Sequence, residues 1–345
     1  MKQKLFGLSL ILSVAIICLL IKCDNSPSKP VESESDYDIY FRDDLPDGKF
    51  FVFNTKQLAI VDSFDIPYWG SWPQLSADGR YMFCPDEKLS IVDMQTRQLV
   101  TQLDITGFFV EVSPDNRYFA LFRDSLQIFD AHTFQKIYSD TGGITNGKFT
   151  SDGKRLYCLK RYADIYCLNL NTTPFVSKLI DYPWASPSGV VASKDEKYLF
   201  VLGQGHDRSK LFQVYDINRD SVIFSFAPRL SGGIGEVNIT PNGDLVVFAD
   251  GEPNGGFEPP PASRTICIFN AKTFTMEAIV PTFGVDPDYP DGLPAWLTVI
   301  TPDGRYFVSG GMGIIVIDLH SKRVAKLFEF PERYLQGITC RKIKK

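Results

Sequence analysis

The chain has 345 residues, with 41 acidic against 36 basic side chains and a net charge of −5. No dense basic tract precedes the last five residues, so the charge balance offers no footprint for a nucleic acid. At 44% hydrophobic and 13% aromatic residues the chain can bury a substantial soluble core, as one domain or two.

Residues 1–23 stand apart. Lys2 and Lys4 precede an apolar run over 5–21, the layout of a secretory signal, with an uncleaved single anchor as the alternative. Cys23, followed by Asp24, Asn25 and Ser26, makes the segment resemble a bacterial lipoprotein signal, whose cysteine becomes the lipidated first residue. Lys22 departs from the small residue that this pattern carries before the cysteine. Residues 24–43 are rich in Ser, Pro, Asp and Glu and read as a flexible linker. Residues 44–345 are expected to form a single domain.

From there a repeat begins. Turn signatures recur at Asp47-Gly48-Lys49, Asp78-Gly79-Arg80, Asp115-Asn116-Arg117, Asp152-Gly153-Lys154, Asp195-Glu196-Lys197, Asn242-Gly243-Asp244 and Asp303-Gly304-Arg305. The Asp or Asn side chain bonds its own backbone, and Gly accepts the positive φ of a short turn. A second strand motif ending on Asp or Asn also recurs, at 58–62, 89–93, 126–130, 165–169, 212–216, 266–270 and 314–318. His132 and His320 hold equivalent places in the turn after that residue, which marks a repeat position rather than a catalytic one. Periods of about 37 to 60 residues with four short strands each predict an all-β, seven-bladed propeller, in which each small sheet covers its neighbour. Segments 110–112, 147–149, 189–192, 237–239 and 297–300 are expected as inner strands, and 337–343 as the strand that closes the first blade. Blade one is expected to lose most of its outer strand, because only 16 positions separate Asp62 from Asp78 against 22 between Asp93 and Asp115.

Blocks such as SPDNRYFALFRDSLQIFDAHTFQKI (113–137) and TPDGRYFVSGGMGIIVIDLHSKRVAKL (301–327) resemble YVTN-type repeats of the WD40-like, quinoprotein-amine-dehydrogenase-like propeller group. A strict Tyr-Val-Thr-Asn tetrad is absent. The resemblance covers residues 46–343 and implies a seven-bladed ring. It leaves activity open, since the group contains binding scaffolds and cofactor-dependent oxidoreductases alike.

The cysteines outside the leader are Cys84, Cys158, Cys167, Cys267 and Cys340. Their spacing is neither a disulfide framework nor a zinc site. Cys158 and Cys167 flank the turn at 160–164, so either a bridge across that hairpin or two buried thiols is expected.

The pattern breaks twice in repeat six, at 250–264 and 281–294, and both loops are expected on one face of the ring. Tyr68, Trp69, Tyr182, Trp184, Trp296 and Tyr334 lie near the returns into inner strands on that face, with His206, Arg229, Glu252, Glu258 and Arg333 as polar groups. Together they are candidates to line a ligand funnel, with channel plugging and blade packing as the competing role for the aromatics. Asp286, Asp288 and Asp291 form a weak candidate calcium site without EF-hand spacing, against a solvated acidic loop. Gly232-Gly233-Ile234-Gly235 lacks the P-loop Lys-Ser/Thr and reads as a turn. No nucleophile elbow, zinc-protease pair or other motif names a reaction or a cofactor.

The sequence thus supports a cell-envelope binding or assembly module for a protein, peptide or small molecule, held to the membrane only through its N-terminus. The alternative is a periplasmic enzyme, an oxidoreductase subunit or a carboxylate-based hydrolase or lyase, with its site in the axial funnel.

Overall fold

The computed structural model describes residues 36–43, 49–66, 72–160, 164–180, 186–204, 210–226, 233–252, 265–282, 295–311, 313–329 and 335–342. These residues form seven antiparallel sheets of four strands, the blades of a propeller. Blades two to seven take their strands in chain order from the inside out, each with an inner strand at Gln74–Leu75, Phe109–Val112, Ile144–Phe149, Ser186–Ala192, Gly233–Ile239 or Ala295–Ile300. Blade one is composite. Its inner strand is the final strand of the chain, Leu335–Lys342, followed outward by Tyr37–Asp43, Lys49–Asn54 and Ala59–Asp65.

The apolar residues sort into seven clusters, one at each blade-to-blade interface. Between blades one and two sit Tyr40, Phe50, Val52 and Phe64 with Leu75, Met82 and Val92. Between blades five and six sit Phe200, Phe212 and Phe248, the last two stacked at 4.6 Å between ring centroids. Alternation along each strand sends successive side chains into opposite clusters. In blade one, Ile39 and Phe41 join the seventh blade's cluster while Tyr40 joins the second's. No blade has a core of its own, so burial is gained only when neighbours assemble.

The turns that enter the second strands follow one design. A Ser or Thr hydroxyl accepts the amide of the residue five positions on: Ser76 from Tyr81 at 2.9 Å, Ser113 from Tyr118 at 2.9 Å, Thr301 from Tyr306 at 3.0 Å. The same hydroxyl donates to the turn Asp, as Ser113 does to Asp115 at 2.8 Å. At the end of the third strands, an Asp or Asn carboxyl or amide oxygen accepts two successive amides. Asp130 takes those of His132 and Thr133, and Asp318 those of His320 and Ser321. Both histidines are therefore turn residues, as the repeat implies.

This last device corrects the reading of the first repeat. Asn54, which accepts the amides of Lys56 and Gln57, is blade one's counterpart of Asp130. Asp62 lies inside the outer strand Ala59–Asp65, which is complete. The interval that matters runs from Asn54 to Asp78, so blade one loses no strand. Its second strand, Tyr37–Asp43, falls within the stretch expected to be linker, because Ile39 and Phe41 pack inward despite the acidic residues around them. Gly233, expected in a turn, begins the sixth blade's inner strand instead.

Cys158 and Cys167 do not face each other. The register pairs Tyr157 with Cys167 and Cys158 with Tyr166. One position of offset turns the two thiols to opposite faces: Cys158 packs between blades three and four, Cys167 against the cluster between four and five. Both are free.

Candidate functional site

The inner strands surround an axial channel. Within it lies a cavity of about 180 Å³, and a second of about 20 Å³ against Ser188 and Gly189 of blade five shares Asn146, Lys148 and Glu236 with it. Ile239, Leu297, Val299, Ile300 and Ile338 contribute to the wall, but the surface it presents to the cavity is mostly polar.

Glu111, from the inner strand of blade three, meets Lys148, from that of blade four, with Nζ donating to Oε2 at 3.0 Å. Both side chains are largely withdrawn from solvent, at 17% and 26% exposure. Burial pushes the Glu111 carboxyl above its usual range, with Lys148 opposing. Burial pulls Lys148 down, but Glu111 and then Glu236 outweigh it, so its ammonium is held above the ordinary lysine range. Glu236, from blade six, also faces the cavity and accepts the hydroxyl of Thr298 at 3.2 Å. Thr298 in turn accepts Nδ2 of Asn238 at 2.6 Å. Asn146 and Gln74 add polar groups to the wall.

Phe109, two positions before Glu111 in the same strand, brings an aromatic pair to the wall. Trp72, just before the inner strand of blade two, stacks on Phe109 at 4.3 Å between centroids and 15° between planes. The arrangement is a small, mostly polar cavity with an aromatic pair in its wall and convergent polar groups, smaller and more polar than the usual drug-sized site.

Of the residues expected to line the funnel, Tyr68, Trp69, Tyr182, Trp184, His206, Arg229, Glu258, Arg333 and Tyr334 lie outside the described residues, as do Asp286, Asp288, Asp291 and Cys23. Glu252 ends the second strand of blade six, paired with Gly233, and Trp296 lies in the inner strand of blade seven. Strand polarity places the stems of both repeat-six expansions at the channel end where Trp72 enters. Among the described residues no group of three His, Cys, Asp or Glu is gathered to hold a metal ion.

Sequence reading missed Glu111, Lys148, Glu236, Asn238 and Trp72. A signal existed: Glu111 and Lys148 sit within expected inner strands, and a charge inside a strand of buried neighbours needs a partner.

No family model matches the chain, and no curated protein does. Solved structures resemble it in fold. Hydrazine synthase of Kuenenia stuttgartiensis aligns with a TM-score of 0.61 and 19% identity over 72% of this chain and 76% of that one. The dihydro-heme d1 dehydrogenase NirN, solved in complex with DHE, aligns with a TM-score of 0.57 and 16% identity over 85% and 64%. The Cps50 (Swd1) β-propeller domain of Myceliophteria thermophila aligns with a TM-score of 0.59 and 10% identity over 76% and 87%. The protein is a seven-bladed β-propeller, similar in fold to enzymes and to a WD40 domain.

Proposed function

We propose that this propeller is a recognition module of the cell envelope that binds a small ligand in its axial channel. The observation that carries the reading is the polar cluster Glu111, Lys148, Glu236 and Asn238 lining one cavity at the axis. The apolar clusters between the blades do not include these groups. Buried charge costs stability unless paired, so charged groups gathered around an axial cavity point to binding. The aromatic returns and the two expansions of repeat six are further candidates to select the ligand, including a peptide or protein segment.

The location rests on the leader: Lys2, Lys4, the apolar run and Cys23 together favour export, with lipidation of Cys23 as the tether. The YVTN-type likeness of the repeats agrees with such a protein. An enzymatic reading draws on Glu111 alone, a buried carboxyl whose raised proton affinity suits acid–base work beside a cavity. NirN and hydrazine synthase, by their titles a dehydrogenase and a synthase, show that similar rings serve enzymes.

The test is a thermal-shift and calorimetric screen of small charged and neutral compounds on the mature protein and on Asn146→Trp, which fills the cavity. Compounds that bind the native channel and are lost in the filled variant, with melting retained, support the reading. Binding that survives filling for every hit removes the channel from the account. Intact mass of protein recovered from a bacterial envelope reads out the lipid on Cys23.

A further inference from the structure

Resting on the axial-channel reading above, we infer that the ligand of this channel is a small flat organic monocation, seated between the Trp72–Phe109 wall and the Glu236 carboxylate.

Three observations converge. The first is charge. Two carboxylates, Glu111 and Glu236, and one ammonium, Lys148, line the cavity, so its formal balance is −1 among the described residues. Lys148 bonds directly to Glu111 at 3.0 Å, so the closest compensation is spent there. Glu236 is left with a neutral hydroxyl donor, Thr298, and a more distant Coulomb attraction from Lys148. A monocation completes this balance, whereas an anion would add a second uncompensated charge in a site withdrawn from water.

The second is shape. Trp72 and Phe109, stacked on each other with 15° between their planes, both line the cavity and give it aromatic surface. Such a surface favours planar groups by contact and cations through the ring quadrupole. The third is size. A cavity of about 180 Å³ slightly exceeds one of about 150 Å³ that holds benzene, so a single ring with a short charged substituent fits. Asn238 and Asn146 also line the cavity and add amide groups to its polar wall.

Benzamidine, benzamide and benzoate share one shape and carry positive, zero and negative charge, so they separate class from cavity. Calorimetric titration of each is made against the native mature protein, Glu236→Gln, Trp72→Leu and the filled Asn146→Trp. The expected result is benzamidine binding at least about tenfold tighter than benzamide, with benzoate weakest. Glu236→Gln, close in shape to the native residue, is expected to cut benzamidine affinity at least about tenfold and leave benzamide unchanged, with the melting curve confirming the fold. Trp72→Leu weakens benzamidine and benzamide together.

Equal binding of the three compounds, or benzamidine binding untouched by Glu236→Gln, overturns the cationic assignment. If that loss of charge preference comes with binding that the filled variant abolishes, the channel remains the site and only the ligand class fails. If the filled variant binds all three as the native protein does, the channel reading itself fails. Absence of benzamidine binding at millimolar concentration overturns the monocation assignment, and the channel reading then rests on the wider screen.

Discussion

The Leu75 amide donates to Thr339 Oγ1 at 2.9 Å, across 264 positions of sequence, and ties the inner strand of blade two to the last strand of the chain. Thr339 is 1% exposed and pairs through its backbone with Tyr40. The closing strand is therefore held on two sides, by its own blade and by the next. Thr339→Val keeps the shape but leaves the buried Leu75 amide without its acceptor, at a cost of about 1–3 kcal/mol. Urea unfolding of the variant measures it. Deleting residues 335–345 removes the inner strand of blade one together with Leu335 and Ile338 from the cluster shared with blade seven. That truncation is expected to abolish cooperative unfolding and not merely lower its midpoint. A truncated chain with a native-like transition would show the ring to be closed by other contacts.

The Asp130 carboxylate accepts the amides of Thr133 and His132, and these bonds hold it below its ordinary value near 3.8, as the amides of Thr96 and Gln95 do for Asp93. A carboxyl with a depressed folded value contributes stability that is present above the unfolded value and lost as pH falls through the folded one. Stability is expected to hold from neutral pH down to about pH 4 and to decline below it. Asp93→Asn with Asp130→Asn should fold normally, since Asn54, Asn169 and Asn270 already occupy equivalent places, and should show a shallower acid decline. Asp130→Ala removes both acceptor bonds and costs about 1 kcal/mol at neutral pH. An unchanged acid slope in the double Asn variant would show that other carboxyls govern acid unfolding.

Gly147 lies beside Lys148 in the inner strand of blade four, packed against Phe122 of blade three. A Cβ there would stand 2.8 Å from the Tyr157 carbonyl oxygen and 3.1 Å from both Cys158 Sγ and Phe122 Cζ. The carbonyl belongs to a paired strand and cannot swing away as a side chain can. Gly147→Ala is expected to cost about 1–3 kcal/mol through overpacking and to displace Lys148 from Glu111. Thermal unfolding reads the first effect and any channel ligand the second. A neutral outcome in both would mean the strand shifts without strain.

The Glu111–Lys148 pair separates the cost of a charge from the value of a bond. Lys148→Met leaves the Glu111 carboxyl buried without its cation and should lose on the order of 3 kcal/mol. Pairing it with Glu111→Leu removes both charges and should restore stability to within about 1 kcal/mol of native. A double-mutant cycle in urea decides this. If the double variant is as unstable as the single one, the pair is a structural clamp, and its argument for a binding role weakens.

Much of the ring was legible in the sequence because a propeller repeats its local chemistry. The Asp-Gly turns, the strands ending on Asp or Asn and the alternating apolar residues act within a few positions, so they determined seven blades, the inner strands of blades three to seven and the closing tail. The first repeat was misplaced for the same reason: its inner and second strands come from opposite chain ends, so no local turn joins them, and the motif at Asp62 imitates the one at Asn54. Register was also beyond local reading. Cys158 and Cys167 sit across a hairpin, and one position of offset, fixed by the pairing of Tyr157 with Cys167, sends them into different interfaces. The site depended on tertiary structure altogether. Glu111, Lys148, Glu236 and Trp72 belong to four blades, and only closure of the ring brings their charges and its aromatic wall around one cavity. Sequence determined the units, because turns and strands obey neighbours along the chain; the fold decided the channel, because electrostatic pairing obeys distance in space.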